Sequence, residues 1–441
     1  MQLSAGDTSW VLLCTALVFV MAPGLALFYG GLVRAKSSLN MMMMTFIAVG
    51  IVGVLWALFG FSISFGDSGN GFFGGFDSLG LGELLNQLAV NGGKYPIPAL
   101  AFAMFQLMFA IITVALISVS IADRAKFSSW AVFVAAWVTL VYFPVAHWVF
   151  DFGGDQLGGP GAGWLANRGI LDFAGGTVVE INSGASGLAL ALIIGRRVGW
   201  PKSPMKPHNL PLVLLGAGLL WFGWLGFNAG SSLGANQLAA TALTNTVLAG
   251  CGGLLSWLFV ERIRDGHATS LGAASGVVAG LVAITPACGF IAPWAAVVLG
   301  LIAGAACAFT VGLKFRLGFD DSLDVFGVHL VGGVIGCLAL GFVATTIANP
   351  AGKNGVLYGG GWSVLGTQTL GVVTVLAYSF TVTLVIGWVI NKVMGFRVDE
   401  EAEVTGIDLD QHLETAYDFS AAGGGALGQR TARATNTEVG S

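Results

Sequence analysis

Charged side chains are scarce in this sequence. Lys, Arg, Asp and Glu together make up 10% of the 441 residues, whereas 55% are hydrophobic. A soluble domain has about 25% charged residues, so this chain cannot cover a folded surface with groups that face water. We therefore expect an all-α integral membrane protein, and a formal net charge of −4 gives no reason to expect a nucleic-acid partner.

Positive charge is absent from the start of the chain. No Lys or Arg precedes Arg34, whereas a cleavable signal peptide opens with a positively charged region. We therefore interpret the first apolar run as a helix of the mature protein.

Cysteine is rare as well, and its spacing does not favour a metal site. None of the five cysteines belongs to a Cys-x-x-Cys pair, and all lie in or beside apolar runs. Such residues usually behave as small buried hydrophobes, so we predict no disulfide, metal or cofactor. The chain also lacks two Asp residues in the middle of apolar segments, which argues against an intramembrane protease and against an enzyme. The cysteines are Cys14, Cys251, Cys288, Cys307 and Cys337.

Eleven apolar segments are long enough to cross a hydrocarbon core of ~30 Å. Glycine accounts for 67 of the residues, and small residues let membrane helices approach closely, so we expect a tightly packed bundle. Two longer loops, at about 66–98 and 151–171, are rich in Gly and Asp, which is typical of a surface. The apolar segments lie at approximately 8–31, 40–65, 99–122, 128–150, 174–195, 210–232, 239–260, 270–291, 294–315, 325–348 and 369–394.

The positive charges between these segments predict the orientation of the chain. Of the 19 Lys and Arg residues, 16 lie after the first, third, fifth, seventh and ninth segments or in the C-terminal region. Only Lys94, Arg168 and Lys353 lie on the other side. Because Lys and Arg accumulate in cytoplasmic loops, we expect the N-terminus outside and the C-terminus in the cytoplasm, with the protein in the cell (plasma) membrane.

The fifth and tenth segments share one pattern. Asp172 lies eight residues before Glu180, Asp321 lies eight residues before His329, and in both segments Gly follows four and seven residues later. Eight helical residues rise about 12 Å, so both ionisable groups fall near the middle of the membrane. The segments run in opposite directions, which favours an inverted repeat of five plus five helices followed by a long eleventh helix, with the site at the repeat interface.

An ionisable group at this depth is costly and indicates a functional site by default. Glu180 is either a proton or cation handler or a polar group that only hydrogen-bonds a neighbouring helix. His329 is either a satisfied core histidine or the partner of Glu180 in a narrow apolar pore, where the two share one proton and titrate as a unit. Asp172 and Asp321, about two turns earlier, either cap the helix starts or help to shape the site.

Aromatic side chains form the other candidate cluster. Near a membrane surface they are often interfacial belt residues, and Trp148 fits that interpretation. Phe105 and Phe109 share a helix face. The alternative for the cluster is an outer vestibule where ring faces attract a small cation and the Ser231 hydroxyl accepts a hydrogen bond from it. The remaining members are Phe150, Trp221, Trp224 and Phe227.

The chain divides into a transmembrane domain, residues 1–397, and a soluble acidic tail, residues 398–441. Eight Asp and Glu residues fall within 399–418. From Ala421 the tail is rich in Gly, Ala and Thr, a composition that predicts disorder.

Several of these segments resemble the ammonium transporter family (Amt/Mep/Rh), of the bacterial Amt type, and the resemblance extends over nearly the whole chain. It implies ammonium or ammonia as substrate, a surrounding lipid bilayer, a homotrimer with one pore and eleven helices in each subunit, and a cytoplasmic face that a PII-type regulatory protein can bind. The segments are Phe28-Tyr-Gly-Gly-Leu-Val-Arg34, Asp172-Phe-Ala-Gly-Gly-Thr-Val-Val-Glu180-Ile-Asn-Ser-Gly184, Trp224-Leu-Gly-Phe-Asn-Ala-Gly-Ser231, Asp320-Asp-Ser-Leu-Asp-Val-Phe-Gly-Val-His329 and His412-Leu-Glu-Thr-Ala-Tyr417.

By position, the resemblance implies roles for single residues. Glu180 and His329 would occupy the family's twin-histidine positions in the pore. Asp172 would shape the outer site without touching the ion, and Trp224 and Asp321 would act structurally or electrostatically. The recruitment site would comprise Phe105, Phe150 and Ser231 with Trp148 nearby, and the stacked gate would comprise Phe109 and Phe227.

Two positions depart from the family pattern. Glu180 stands where the family usually has His, which bears on pH dependence and on selectivity against other cations. Phe150 stands where Trp is usual. Phe keeps the cation–π face but lacks the indole N–H and is the weaker ring, and Trp148 is a neighbouring candidate for the same role.

The resemblance implies a transporter that recruits NH4+, deprotonates it and conducts NH3 through a hydrophobic pore. Desolvating an ion that must stay charged costs many kcal/mol, so ammonium passes by shedding a proton and potassium does not. Relay of that proton by Glu180 and His329 is a further hypothesis. The alternatives are an ammonium sensor (transceptor) whose tail reports occupancy and a passive channel for neutral NH3 or CO2.

Overall fold

The computed structural model describes residues 2–66, 71–88, 95–153, 163–203 and 205–417, and its regular elements there are helices and two isolated β-bridges. Short 3-10 and π-helical turns are built into several of the helices. The main helices are α1 (Ala5–Leu32), α2 (Ala35–Phe65), α3 (Ala99–Ile121), α4 (Phe127–Phe150), α5 (Gly176–Ile194), α6 (Leu210–Gly230), α7 (Gln237–Arg264), α8 (Ser270–Ile284), α9 (Pro293–Leu317), α10 (Phe326–Val343) and α11 (Ser363–Met394).

Ten of these helices, counted within the described ranges, are long and apolar enough to cross a membrane. The exception is α8, for which the sequence predicts a segment at 270–291. It has 15 residues and so spans only about 22 Å. Pro286 follows its last turn and cannot continue a helix, because proline lacks the N–H group. Residues 285–289 form turns that remain buried, an arrangement that membrane proteins tolerate where the protein itself surrounds the backbone.

The surface of the bundle is apolar where helices face outward. Large side chains such as Phe259, Ile302 and Val373 are more than half exposed, which suits contact with lipid rather than water. Inside the bundle, α1 packs mainly against α6, α5 against α11, and α7 against both α8 and α9. All five cysteines are free, and four of them are buried while Cys251 is exposed on α7.

The helices α5 and α10 begin with the same local structure. Each opens with a π-helical turn, Gly176–Ile181 in α5 and Phe326–Leu330 in α10. The two turns carry Glu180 and His329. Because π-turns inside helices are rare and often lie at functional sites, their presence at both positions supports the sequence pattern that pairs these segments.

Two glycines let α5 and α10 cross closely. A Cβ atom on Gly184 would lie 2.5 Å from the backbone nitrogen of Leu330, and one on Gly333 would lie 2.9 Å from the Cβ of Glu180. Any larger residue would push the helices apart. The glycine four residues after each ionisable group is therefore what brings Glu180 to the neighbourhood of α10.

A buried ion pair ties together the end of the molecule that is predicted to be cytoplasmic, hereafter the inner end. Arg197 Nη2 lies 2.8 Å from Asp320 Oδ1, with side chains 5% and 0% exposed, and Arg197 Nε donates to Asp320 Oδ2 at 2.9 Å. Burial alone would raise the pKa of Asp320, but the hydrogen bonds and charge of Arg197 outweigh burial and hold that pKa below its ordinary value of 3.8. The pair joins the loop after α5 to the loop before α10.

The first part of the acidic tail folds onto the inner end. It forms two short helices, α12 (Glu400–Thr405) and α13 (Ile407–His412). The Asp408 carboxylate accepts hydrogen bonds from the N–H groups of Leu39 at 3.0 Å and Asn40 at 2.8 Å. Burial raises the pKa of Asp408, and these two bonds oppose the rise. The tail is thus attached to the start of α2 by its own acids.

Some sequence predictions fall outside the described residues. They are the disordered end of the tail from Ala421, the charges of Lys94 and Asp418, and parts of the two outer loops.

Candidate transport site

Glu180 and His329 meet in the middle of the bundle. Glu180 Oε2 lies 2.6 Å from His329 Nδ1, and both side chains are 1% exposed. The Tyr29 hydroxyl lies 3.2 Å from the other ring nitrogen, His329 Nε2. Within the described part of the chain, Glu180 Oε1 has no hydrogen-bond partner. An unpaired buried polar atom costs about 1–3 kcal/mol, so Oε1 is the atom of this group that is free to take a proton or a polar ligand.

Two aspartates fix the starts of the helices that carry this pair. Asp172 Oδ1 accepts hydrogen bonds from the N–H groups of Gly175 and Gly176, at 2.8 and 2.7 Å. Its Oδ2 accepts from the N–H and hydroxyl of Thr177, at 2.7 and 2.5 Å. Asp321 Oδ2 accepts one bond, at 2.8 Å, from the first N–H group of α10. Both acids satisfy donors that a helix start leaves free, and Asp172 also lines a second outer space, next to Ser231 and Phe173.

A narrow cavity of about 10 Å³ lies beside the pair. Glu180, His329 and Tyr29 face it, and the lining is otherwise almost entirely carbon. A bare ion would be desolvated in this space without compensation. The aliphatic part of the lining comprises Met21, Leu25, Ile112, Leu116, Leu220 and Val278.

Two stacked rings separate this cavity from the outside. The centroids of Phe109 and Phe227 are 4.1 Å apart, with the ring planes 31° from parallel. Phe109 faces the outer pocket, whereas Phe227 faces the central cavity. Trp224 packs against Phe227 at 5.8 Å, and its indole N–H donates to the Thr285 hydroxyl at 2.8 Å. The structure thus brings together the two residues predicted to form a gate.

The outer pocket beyond the rings has an aromatic lining and includes the Ser231 hydroxyl. Phe150 meets Phe109 edge to face at 6.4 Å. The Ser231 hydroxyl donates to the Phe227 carbonyl at 2.9 Å, which leaves its oxygen free to accept a hydrogen bond from a solute. The pocket offers ring faces and an acceptor, as a small cation requires. The other lining residues are Tyr95, Phe102, Gln106, Phe152, Phe173 and Leu233.

Two residues predicted for this pocket lie behind its wall. Phe105 is fully buried and packs edge to face on Phe109 at 5.0 Å. Trp148 uses its indole N–H for the Phe72 carbonyl, at 2.7 Å. Two helical residues turn the side-chain direction by about 200°, so Trp148 points away from the wall that Phe150 forms.

On the inner side, a wider vestibule of about 280 Å³ adjoins the central cavity. Tyr29 and Val278 line both spaces and mark the boundary between them. Outer pocket, central cavity and vestibule therefore follow one another through the bundle. The charged side chains of the vestibule are Glu261, Arg264, Lys314 and Asp324.

Sequence reasoning missed three residues along this path: Tyr29, Gln106 and Thr285. The only signal for Tyr29 is a hydroxyl within the apolar segment that contains Phe28-Tyr-Gly-Gly. Thr285 has a weaker signal, because threonine in a helix can bond the backbone four residues earlier, and it does so here with Leu281 at 2.8 Å. Its second role, as acceptor for Trp224, depends on tertiary packing.

A path of three cavities, closed by two rings and flanked by a buried acid–imidazole pair in a bundle of membrane-length helices, defines a multi-pass membrane transport protein. A family model described as the Ammonium Transporter Family matches residues 9–417. The chain belongs to the ammonium transporter family, which confirms the resemblance read from its segments, and it is a multi-pass protein of the plasma membrane.

Known relatives extend over nearly the full length. The chain is similar to an ammonium transporter of Mycobacterium tuberculosis, with 50% identity over 446 residues that cover 96% of this chain and 93% of that protein. The crystal structure of Candida albicans Mep2 matches with a TM-score of 0.84 and 34% identity, over 94% of this chain and 91% of that one. A solved structure named Sensor Amt Protein matches with a TM-score of 0.83 and 28% identity, over 92% and 98%.

Proposed function

We propose that this protein transports ammonium by recruiting NH4+ at the outer pocket, removing its proton at the ring pair of Phe109 and Phe227, and conducting NH3 past Glu180 and His329. The observation that carries the proposal is the 2.6 Å contact between Glu180 and His329 in a cavity otherwise lined by carbon. The released proton passes to Glu180 Oε1 and leaves through His329, and NH3 regains a proton in the inner vestibule.

Recruitment depends on Phe150 and Ser231. The ring attracts a cation by about 0.5–2 kcal/mol, and the hydroxyl accepts one of its N–H groups. Asp172 contributes a negative charge beside the outer pocket, while its oxygens hold the start of α5. Phe105 and Trp148 act indirectly. Phe105 packs against the ring of Phe109, and Trp148 holds the loop backbone at Phe72.

Deprotonation explains how the path selects ammonium over potassium. The two ions have similar size and charge, and both lose their hydration when they leave the outer pocket. Only ammonium avoids the cost of carrying a charge into the apolar cavity, because it can leave a proton behind. The central cavity therefore acts as a filter against ions that must remain charged.

The proton relay uses two atoms of each partner. Glu180 Oε1 takes a proton, Oε2 passes one to His329 Nδ1, and the imidazole releases the proton on its Nε2 toward Tyr29 and the vestibule. Because charge crosses the membrane with each ammonium, transport is electrogenic. The two groups share one proton between them.

The proposed arrangement in the membrane has eleven spans, with α8 and the buried turns after it forming the eighth. The N-terminus is outside and the C-terminus is cytoplasmic, and α1–α5 and α6–α10 form an inverted repeat followed by the long α11. Residues 1–397 form the transporter domain, residues 398–441 form an acidic regulatory tail, and three subunits form a homotrimer. The pairing of α1 with α6 and the matching starts of α5 and α10 support the repeat.

A regulatory role is the second candidate. The Asp408 bonds attach the tail to the start of helix α2 at the inner end, and one structural neighbour is named Sensor Amt Protein. A PII-type protein on the inner face is the proposed partner. A chain truncated after Arg397 that transports but no longer binds its partner would favour a regulated transporter over a sensor.

The proposal is tested by currents from purified protein in liposomes. An ammonium jump evokes a current in the wild type, whereas an equal potassium jump does not. Glu180→Gln, which keeps the shape but not the charge, lowers the ammonium current at every pH. An unchanged current in Glu180→Gln would remove Glu180 from the proton path. Ammonia flux without any current in the wild type would favour the passive channel for neutral NH3 or CO2.

A further inference from the structure

Lys314 is a buried lysine at the inner vestibule. It lies near the end of α9, where the adjacent Phe315 and Arg316 are exposed, yet Lys314 is only 8% exposed. A lysine is almost never buried unless its ammonium group is paired. The acceptors around Lys314 are therefore arranged for a cation.

Two aspartates supply those acceptors. Lys314 Nζ lies 2.7 Å from Asp324 Oδ1 and donates to the backbone carbonyl of Asp321 at 2.9 Å. Asp324 has a φ of 70°, a left-handed conformation that costs free energy and persists where the surrounding structure fixes it. Among the described residues, Asp321 Oδ1 has no hydrogen-bond partner although it is buried. The cation site thus combines a carboxylate and a carbonyl, with one further buried carboxylate oxygen that has no partner.

This site faces the route of the transported ion. Lys314 and Asp324 both line the vestibule below Tyr29, and the Asp324 side chain is 33% exposed. The other two charged lining residues have structural partners. Glu261 accepts hydrogen bonds from Thr269, and Arg264 is paired with Asp265, its neighbour in sequence.

We infer that the Asp324 carboxylate and the Asp321 carbonyl form an inner binding site for a small monovalent cation of the ammonium type, and that Lys314 keeps this site filled with its own ammonium group. The inference rests on the proposed function, because it assumes that ammonium re-forms in the vestibule. Lys314 Nζ is attached to α9 and already lies 2.7 Å from Asp324 Oδ1, so a free ammonium or potassium ion would have to displace a tethered competitor. The released ion therefore meets no open carboxylate at the exit.

Removing the lysine amine opens the site. In Lys314→Met, potassium at about 100 mM on both sides of liposomes should lower the initial ammonium current roughly threefold relative to choline, as expected for a site that is about two-thirds occupied. The wild type and the matched control Arg316→Met should give equal currents in the two salts. The double variant Lys314→Met/Asp324→Asn should lose the sensitivity to potassium.

Thermal melting of the purified protein in detergent provides a readout without transport. Exchanging choline for potassium should raise the Tm of Lys314→Met and leave that of the wild type unchanged, because a bound ion stabilises the folded state. If Lys314→Met does not purify as a monodisperse protein, Lys314→Gln replaces it in both experiments.

Equal currents and equal Tm values of the single variant in the two salts would overturn the inference. A sensitivity to potassium that persists in the double variant would also overturn it, because potassium would then bind at another site. A wild type without any ammonium current would count against the proposed function instead, because the melting experiment would still decide the inner site.

Discussion

The Glu180 carboxylate and the His329 imidazole touch at 2.6 Å where α5 and α10 cross, and both are almost fully buried. A buried charge without a partner costs several kcal/mol, so the stable forms of the pair are an acid beside a neutral imidazole or a carboxylate beside an imidazolium. Both forms hold one shared proton. In both, Glu180 Oε1 remains available, which distinguishes this pair from two imidazoles.

Tyr29 should support the relay at its inner end. Tyr29→Phe removes the hydroxyl 3.2 Å from His329 Nε2 and keeps the ring. Loss of one hydrogen bond of about 1.4 kcal/mol corresponds to a tenfold change, so we expect the ammonium current to fall about tenfold. The control is Tyr378→Phe, whose hydroxyl donates to the Leu140 carbonyl. A full current in Tyr29→Phe would show that the imidazole releases its proton without this partner.

Phe150 should limit the affinity of the outer pocket. Phe150→Trp provides a stronger cation–π face, worth about 0.5–1 kcal/mol, and should lower the half-saturating ammonium concentration about two- to fivefold in current recordings. Trp148→Phe serves as the comparison, because the Trp148 indole is already bonded to the Phe72 carbonyl and its loss should leave half-saturation unchanged. The opposite ranking of the two variants would assign recruitment to Trp148.

Asp172 should contribute to stability and to recruitment. In the wild type, both carboxylate oxygens of Asp172 accept hydrogen bonds from the start of α5. Asp172→Asn leaves only one oxygen that can accept them. We expect a loss of about 1–3 kcal/mol, seen as a lower Tm in detergent, and a higher half-saturating ammonium concentration because the charge is gone. Asp77→Asn, on an exposed outer loop, is the control. A Tm equal to that of the wild type would contradict the capping role.

The Arg197–Asp320 pair should make the inner end sensitive to acid. Because the folded state lowers the pKa of Asp320 below 3.8, its stabilisation is complete above that value and is lost as pH falls through the lowered pKa. Asp320→Asn should cost about 3–5 kcal/mol at neutral pH, and its Tm should then fall less than that of the wild type below pH ~4. Asp265→Asn, which removes an exposed pair with Arg264, should change little. If the Tm values of the wild type and Asp320→Asn fell equally at acid pH, this assignment would be contradicted.

Residue pattern was enough to predict the centre of the site. Glu180 and His329 are ionisable groups in apolar segments, and the glycines that follow them mark the helix crossing, so depth and contact could both be inferred. The ring pair of Phe109 and Phe227 followed from the family resemblance. The depth and contact of Glu180 and His329 depend on local spacing, which a single sequence contains.

Features that depend on tertiary packing were less accessible. Whether Trp148 points into the pocket or into the loop follows from the rotation of α4, which hydropathy does not specify. The contact between Tyr29 and His329 joins residues 300 positions apart. The early end of α8 could have been predicted, because Pro286 is a helix breaker. Hydropathy averaged over an apolar segment conceals a single proline.

The central claim is that a proton crosses with each ammonia by its own path through Glu180 and His329. The most direct test is the ratio of charge moved to labelled methylammonium taken up by liposomes at a fixed membrane potential. The account predicts about one elementary charge for each molecule in the wild type, and a clear loss of charge relative to uptake in Glu180→Gln. Uptake that carries no charge in the wild type, or an unaltered ratio in the variant, would contradict it.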